Sequence, residues 1–308
     1  MRRRQWRSRN VVSVQISIVV CTRNRADSLQ QCVHALACVE TAHEWELVIV
    51  DNGSSDGTGA FLSSLPRRIS KASLIIAFEP KRGLGTARNK GLNQAHGDII
   101  AFIDDDCYVS KDYIDAMISA FKADSKIGFI GGRILLYDQS DLRMTIMERE
   151  DHFVLQPRTF IPAGSIQGAN MAFRKPVLER IGGFDDSMGS GTPFPCEDMD
   201  AVAAASWAGI VGAYDPRPTV YHHHRRKTQK DGNDLWKIYD TGRGAYYAKY
   251  LARHDSRSTY LAAWVRDAGR GMSYGSVRQR LWHTRRTLRE LTGAIRYVVT
   301  RLNNTKAS

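Results

Sequence analysis

The stretch Asp98-Ile99-Ile100-Ala101-Phe102-Ile103-Asp104-Asp105-Asp106 sets five apolar residues in a row and then three carboxylates. A short run with no polar break reads as a strand covered on both faces. Three adjacent carboxylates at its end repel one another, so they persist best beside a cation. Oxygen ligands of this kind suit Mg²⁺ or Mn²⁺, which bridge carboxylates to phosphates. For the triplet alone, an acidic solvent loop capping a helix that begins near Lys111 is the structural alternative.

Upstream, the same apolar pattern recurs at 16–20, 47–50 and 74–78, and helix-length segments at 26–38, 58–65 and 86–95 separate the runs. Asp27 or Ser28 opens the first helix and Gly97 follows the third, as start and stop signals require. Strands alternating with helices predict a parallel sheet with both faces covered, and ligands bind such sheets beyond the carboxyl ends of the strands. Three strand ends therefore matter: Cys21-Thr22-Arg23-Asn24-Arg25, the loop that begins at Asp51, and Asp104-Asp105-Asp106. Beyond Lys111 the pattern loosens, with strands expected at 127–130, 170–174 and 219–224 and helices at 176–181 and 197–208. From Asn233 the chain reads as helices.

The charge of the 308 residues sums to +12 and is uneven. Residues 215–308 carry 20 Lys and Arg against 7 Asp and Glu, whereas 10–214 carry 19 against 25. A soft boundary near Asp215 divides the chain into a basic, disordered tail at 1–14, an α/β domain at 15–215 and a basic helical region at 216–308. Basic asymmetry of this kind reports either an anionic partner or a solvated helical face. No apolar run reaches the roughly 20 residues of a membrane-spanning helix, and no apolar segment follows the N-terminal arginines as in a secretory signal. The five cysteines show no paired spacing, which disfavours zinc or a disulfide framework and fits a reducing compartment, with the thiols as small buried hydrophobes.

The motifs together resemble those of family 2 glycosyltransferases, whose fold is the nucleotide-binding α/β domain called GT-A. The resemblance rests on Ser17-Ile18-Val19-Val20-Cys21-Thr22-Arg23-Asn24-Arg25, where the family usually has proline for Cys21. It continues through Glu46-Leu47-Val48-Ile49-Val50-Asp51-Asn52-Gly53-Ser54-Ser55-Asp56-Gly57-Thr58, then Ala87-Arg88-Asn89-Lys90-Gly91 and Asp104-Asp105-Asp106. Gly168-Ala169-Asn170-Met171-Ala172-Phe173-Arg174, Gly182-Gly183-Phe184-Asp185, Glu197-Asp198 and the histidines after residue 221 complete it, over residues 15–226. Gly83 and Gly85, ahead of Arg88, do not match the dinucleotide-binding fingerprint.

The resemblance implies an inverting glycosyltransferase that moves a sugar from a nucleotide-sugar, a UDP-sugar being favoured, to an acceptor hydroxyl in polysaccharide or glycoconjugate synthesis. Asp51 would recognise the base, with Thr22 and Asn24 shaping its pocket. Asp105 would bond the ribose, Asp104 would lie on the donor side, and Arg88 would point at the nucleotide or form a surface ion pair. Asp106 and His222 would hold Mn²⁺ or Mg²⁺, with His224 in reserve because alternate residues of a strand share a face. Asp198 would be the base, Glu197 would orient acceptor or loop, and Asn170 would lie beside the donor sugar. A nucleotide-sugar donor and a glycan or lipid-linked glycan acceptor are the partners implied.

Two rival readings share parts of this evidence. A sugar nucleotidyltransferase also combines carboxylates, metal and nucleotide phosphates, but its glycine-rich activation loop is not evident. A nucleic-acid-binding protein would explain the basic tail and not the acidic body, so nucleic acid is not an expected partner. Near the C-terminus Val277, Leu281, Leu288, Leu291, Ile295, Val298 and Leu302 recur at helical spacing among arginines. That stripe either lies in an anionic membrane interface or packs on the catalytic domain. A cytoplasmic protein, peripheral on the inner face of the cell membrane in the first case, is the expectation. Sugar, linkage and oligomeric state are not legible.

Overall fold

A computed structural model describes residues 14–273 and 275–307. The tail expected over 1–14 therefore lies, apart from Val14, outside the described residues. The elements run β1 (Ile16–Thr22), α1 (Ala26–Ala37), β2 (Trp45–Asp51), α2 (Thr58–Ser64), β3 (Arg68–Ile69), β4 (Ala72–Phe78), α3 (Leu84–Gln94) and β5 (Ile99–Asp104). They continue with β6 (Cys107–Val109), α4 (Tyr113–Ala123), β7 (Ile127–Leu136), β8 (Phe153–Leu155), β9 (Asn170–Arg174), α5 (Lys175–Ile181), α6 (Glu197–Trp207) and β10 (Val211–His222). Three helices follow: α7 (Gln229–Ala252), α8 (Arg257–Ser273) and α9 (Val277–Ala307).

One sheet holds all the strands, in the order β3-β4-β2-β1-β5-β9-β7-β10-β6, with β8 added beside β10. The pairs β4–β2, β2–β1 and β1–β5 are parallel, as the alternation of strands and helices predicts. Beyond β5 the sheet is mixed, because β9 runs antiparallel to both β5 and β7, while β7 and β10 are parallel. The architecture is α/β in the GT-A manner, followed by the expected helical region.

Side-chain alternation explains the two-faced core. Ile16, Ile18 and Val20 of β1 pack with Leu29, Cys32, Val33 and Leu36 of α1. Val19 of the same strand packs on the opposite face with Ala87 of α3 and with Phe102 and Phe173. The tyrosines of α7 and α8 (Tyr246, Tyr247, Tyr250 and Tyr260) join this second core, so the helical region packs as one body with this face of the sheet. Asp215, near which the charge changes sign, lies inside β10. Among the cysteines, Cys32, Cys107 and Cys196 are buried, whereas Cys38 is exposed, unlike the buried set expected.

Candidate active site

Strand register assembles the site. Parallel pairing aligns Thr22 with Asp51 and Cys21 with Asp104, so three polar ends share one carboxyl edge. Antiparallel pairing of β10 with β6 sets His222 opposite Cys107, beside the preceding Asp106. His222 Nε2 stands 3.3 Å from Asp106 Oδ1, with both side chains buried. The carbonyl oxygen of Thr145 lies 3.2 Å from the other ring nitrogen of His222 and fixes the ring from behind.

The repulsion expected within the acidic triplet is relieved largely from inside the protein. The Arg25 guanidinium donates to Asp105 Oδ1 at 2.7 Å and to Asp106 Oδ2 at 2.9 Å. Thr22 Oγ1 donates to Asp105 Oδ2 at 2.7 Å, which ties Thr22 to the carboxylate expected at the ribose. Burial pushes Asp105 up to about 6 despite Arg25. Asp106 goes the other way: burial raises it, but His222 and Arg25 together hold it well below the usual carboxylate range. Burial lowers His222, and the neighbouring Asp106 and Asp104 charges outweigh it, so the imidazole is raised.

Arg88 is buried, so it does not form the surface ion pair of the second expectation. It donates to Glu197 Oε1 at 2.7 Å and to the Gly168 carbonyl at 3.1 Å, and lies 3.3 Å from Asp104 Oδ1. Its guanidinium also stands 5.9 and 5.6 Å from the ring centres of Phe102 and Phe184. A Cβ on Gly168 would come 2.5 Å from the guanidinium, so the close approach depends on glycine there. Burial pushes Glu197 up to about 7, Arg88 opposing and Asp198 adding to the rise. Asp104 is raised by burial as well. Asp198, in the first turn of α6, accepts the Gly168 N–H at 2.8 Å, which orients its carboxylate.

Two adjoining cavities of about 320 Å³ each meet at Leu84, Asp104, Ser190, His222 and Tyr239. One contains Thr22, Arg25, Asp105, Asp106 and Arg226. The other contains Arg88, Gly168, Glu197, Asp198, Trp236 and Arg243. Asp104 and His222 thus stand at the junction between a compartment holding Asp105, Asp106 and Arg25 and a compartment holding Glu197, Asp198 and the rings of Trp236 and Tyr239.

Several expected residues lie elsewhere. Asp51 accepts from its own loop, at Ser54 N (2.8 Å), and does not line either cavity; its neighbour Asn52 does. Asn24, with φ +53°, accepts from Ser55 N at 2.7 Å, ties two loops together and lines neither cavity. Asn170 is fully buried and not brought to the site. Its amide donates to the carbonyls of Arg133 and Pro218 and accepts from Tyr113 Oη, filling the sheet where an irregularity in β10 interrupts pairing. His224 Nε2 lies 2.9 Å from the Leu142 carbonyl, and Nδ1 lies 3.7 Å from Asp141, so it supports the loop rather than the junction. Trp236 and Tyr239 come from the tyrosine-rich segment 236–251, for which capping the acceptor site and joining the packing are the two readings in sequence, and Arg25 closes the polar cluster after β1 without an assigned role. Only the position of Arg25, three residues past a strand end, signals it.

The donor set fits a hard divalent cation. Asp106 Oδ1 is a buried carboxylate oxygen with no hydrogen bond, facing an imidazole nitrogen. Cys107 lies within reach of both, but burial raises its thiol well above the ordinary value, and a thiol is a poor ligand for Mg²⁺ or Mn²⁺. Asp106 and His222 are the residues that could hold the ion.

A mixed sheet with an acidic cleft at the carboxyl ends of β1 and β5 is the architecture of a GT-A glycosyltransferase. The chain belongs to glycosyl transferase family 2, whose profile matches residues 17–182. Glycosyltransferase AglE of Haloferax volcanii is 26% identical over 258 residues, covering 81% of this chain and 79% of its own. Among solved structures, the mannosyltransferase PcManGT of Pyrobaculum calidifontis, in complex with GDP-Man and Mn²⁺, shares the fold with TM-score 0.60 at 17% identity, over 92% of this chain and 87% of that one. S. aureus TarS 1-349 in complex with UDP-GlcNAc gives TM-score 0.61 at 15% identity, over 92% and 81%.

Proposed function

We propose that this glycosyltransferase transfers a sugar from a nucleotide-sugar to an acceptor hydroxyl with inversion, assisted by Mn²⁺ or Mg²⁺ at Asp106 and His222. The observation that carries the reading is the junction itself: Asp104 and His222 border both the compartment holding Asp105, Asp106 and Arg25 and the one holding Asp198. The first compartment suits a nucleoside diphosphate and the second the sugar and acceptor. A UDP-sugar is the favoured donor, in keeping with the UDP-GlcNAc bound by TarS, although PcManGT binds GDP-Man.

When bound, the cation supplies electrostatic stabilisation of the diphosphate leaving group. This chain's residues do the rest. Arg25 and Arg226 border the donor compartment and offer guanidinium groups to phosphate oxygens. Asp198, held by the Gly168 N–H, accepts the proton of the acceptor hydroxyl as its oxygen attacks the anomeric carbon, a role worth ~10²–10⁴-fold in rate. Glu197 is tied to Arg88, which leaves Asp198 as the carboxylate free to act and supports single displacement. Trp236 and Tyr239 offer flat apolar faces of the kind pyranose rings stack on, which favours a glycan or lipid-linked glycan acceptor. In this reading the enzyme works in the cytoplasm, where such acceptors are met at the inner face of the cell membrane, in polysaccharide or glycoconjugate synthesis.

The test is incubation of the protein with a panel of nucleotide-sugars and glycan acceptors, with Mn²⁺ or a chelator. Metal-dependent release of nucleoside diphosphate and a product of inverted anomeric configuration are expected. Release of pyrophosphate from a nucleoside triphosphate would instead indicate a nucleotidyltransferase, and a retained configuration would refute single displacement.

A further inference from the structure

The long C-terminal helix α9 has two faces of opposite character. Its inner face is locked onto α7. Glu290 is buried and accepts from Arg243 Nε at 2.6 Å, from Trp264 Nε1 at 2.9 Å and from Arg286 Nε at 2.9 Å. Gly293 on α9 and Gly244 on α7 allow the two backbones to touch, since a Cβ at either would collide with the facing main chain. Ala294 and Tyr297 complete this packed face.

The outer face carries an apolar seam. Leu281, Leu288 and Ile295 recur every seven residues, and Val277, Thr284, Leu291 and Val298 form a second row offset from the first. The apolar members of both rows are 43% to 67% exposed. So much exposed apolar surface on a helix already docked by its other face calls for a partner. A seven-residue repeat is also the pattern of a coiled coil, which would pair this seam with a second copy of the chain.

Charge decides between these occupants. Arg278, Arg280, Arg285 and Arg296 are exposed on the same helix, and among the described residues none has a carboxylate partner. The only acidic residue of α9 is Glu290, which is buried against α7. In a parallel pair of copies, Arg280 of one would face Arg285 of the other, and no acid is available to relieve the repulsion in either orientation. An apolar seam flanked by arginines instead matches an anionic bilayer, where the side chains enter the acyl boundary and the guanidinium groups meet lipid phosphates. A nucleic acid would use the charges and leave the seam exposed. Trp282, 42% exposed beside the seam, is of the residue type enriched at lipid–water interfaces. No described helix is long and apolar enough to cross a membrane, which is consistent with lying on one.

We infer that α9 is a docking surface for an anionic lipid bilayer, holding the protein at the membrane by the Leu281–Ile295 seam and its flanking arginines. The inference stands apart from the transferase chemistry and needs neither donor nor metal. The test is flotation of the full chain with vesicles of pure phosphatidylcholine and with vesicles containing an equal part of phosphatidylglycerol, without nucleotide or divalent cation. The protein should float with the anionic vesicles, and added salt should weaken binding. Arg278→Gln/Arg280→Gln/Arg285→Gln, which touches no packed face, should lower the affinity by about 10²-fold. Leu288→Glu/Ile295→Glu should lower it by at least about tenfold with an unchanged melting curve. Absence of flotation with either vesicle, or flotation of either variant at the wild-type level, would overturn the inference. So would a dimer in solution, seen by sedimentation, that Leu288→Glu dissolves, because the seam would then belong to a second copy.

Discussion

Nε2 of His222, the last residue of β10, stands 3.3 Å from Oδ1 of Asp106, just beyond the end of β5, with both side chains buried. The two lie far apart in the chain and meet because β10 pairs with β6. That pairing makes them a predicted ligand pair. Asp106→Asn and His222→Ala should each weaken Mn²⁺ binding by more than about 10²-fold, the upper end of what is lost when a residue merely supporting a ligand is removed. Mn²⁺ titration followed by electron paramagnetic resonance reads this directly, and wild-type affinity in either variant would remove that residue from the ion site.

Asp198→Asn keeps the shape of the side chain and removes its basicity. The turnover number should fall ~10²–10⁴-fold, while the affinity for nucleoside diphosphate stays within about twofold of wild type. Glu197→Gln, which retains an acceptor for Arg88, should be far less damaging to turnover. A reversal of the two effects would exchange their roles.

Arg88 is buried against Glu197 with the Gly168 carbonyl behind it. Removing one partner of a buried pair leaves the other without its counter-charge, so in urea unfolding at pH 8, where Glu197 is ionised, Arg88→Met should cost about 3–5 kcal/mol. Gly168→Ala places a methyl group against the same guanidinium and should cost about 1–3 kcal/mol. An Arg88→Met protein as stable as wild type would show that the pair only breaks even.

The raised Glu197 gives a signed pH dependence. Because its carboxyl is pushed up to about 7 in the folded protein, against an ordinary 4.5, the native state binds more protons than the unfolded chain between those values. This group's contribution is therefore present below the unfolded value and is lost as pH rises towards 7. Melting temperatures of wild type and Glu197→Gln, compared from pH 5 to 8, should diverge from each other in that window, with the wild type falling more steeply. Parallel profiles would mean that Arg88 keeps Glu197 ionised throughout.

Much of this is legible in the sequence because strands and ligand sites obey short-range rules. The apolar runs of β1, β2 and β5 are continuous, and the residues that follow them sit at a carboxyl edge where ligands bind. Asn170 misleads because a buried amide and a ligand-binding amide look alike in sequence; only the interruption of β10 pairing shows that the Pro218 carbonyl needs a donor. His224 shares a face with His222, as alternation requires, yet a loop carbonyl at Leu142 draws it away from the junction. Strands as short as Cys107–Val109 carry no readable period, and without β6 the approach of His222 to Asp106 has no visible cause. Arg25 is signalled only by its place three residues past the end of β1, and its pairing with Asp105 and Asp106 is not legible, because cation–carboxylate pairing across loops depends on register rather than on nearby pattern.

The measurement that reaches furthest is calorimetric titration of the full chain with UDP and GDP, each with Mn²⁺ and with a chelator. One nucleoside diphosphate should bind with Mn²⁺, and the heat should vanish with the chelator and in His222→Ala. Binding of neither nucleotide in the presence of Mn²⁺, or equal binding with the chelator, would contradict a metal-assisted donor site at Asp106 and His222.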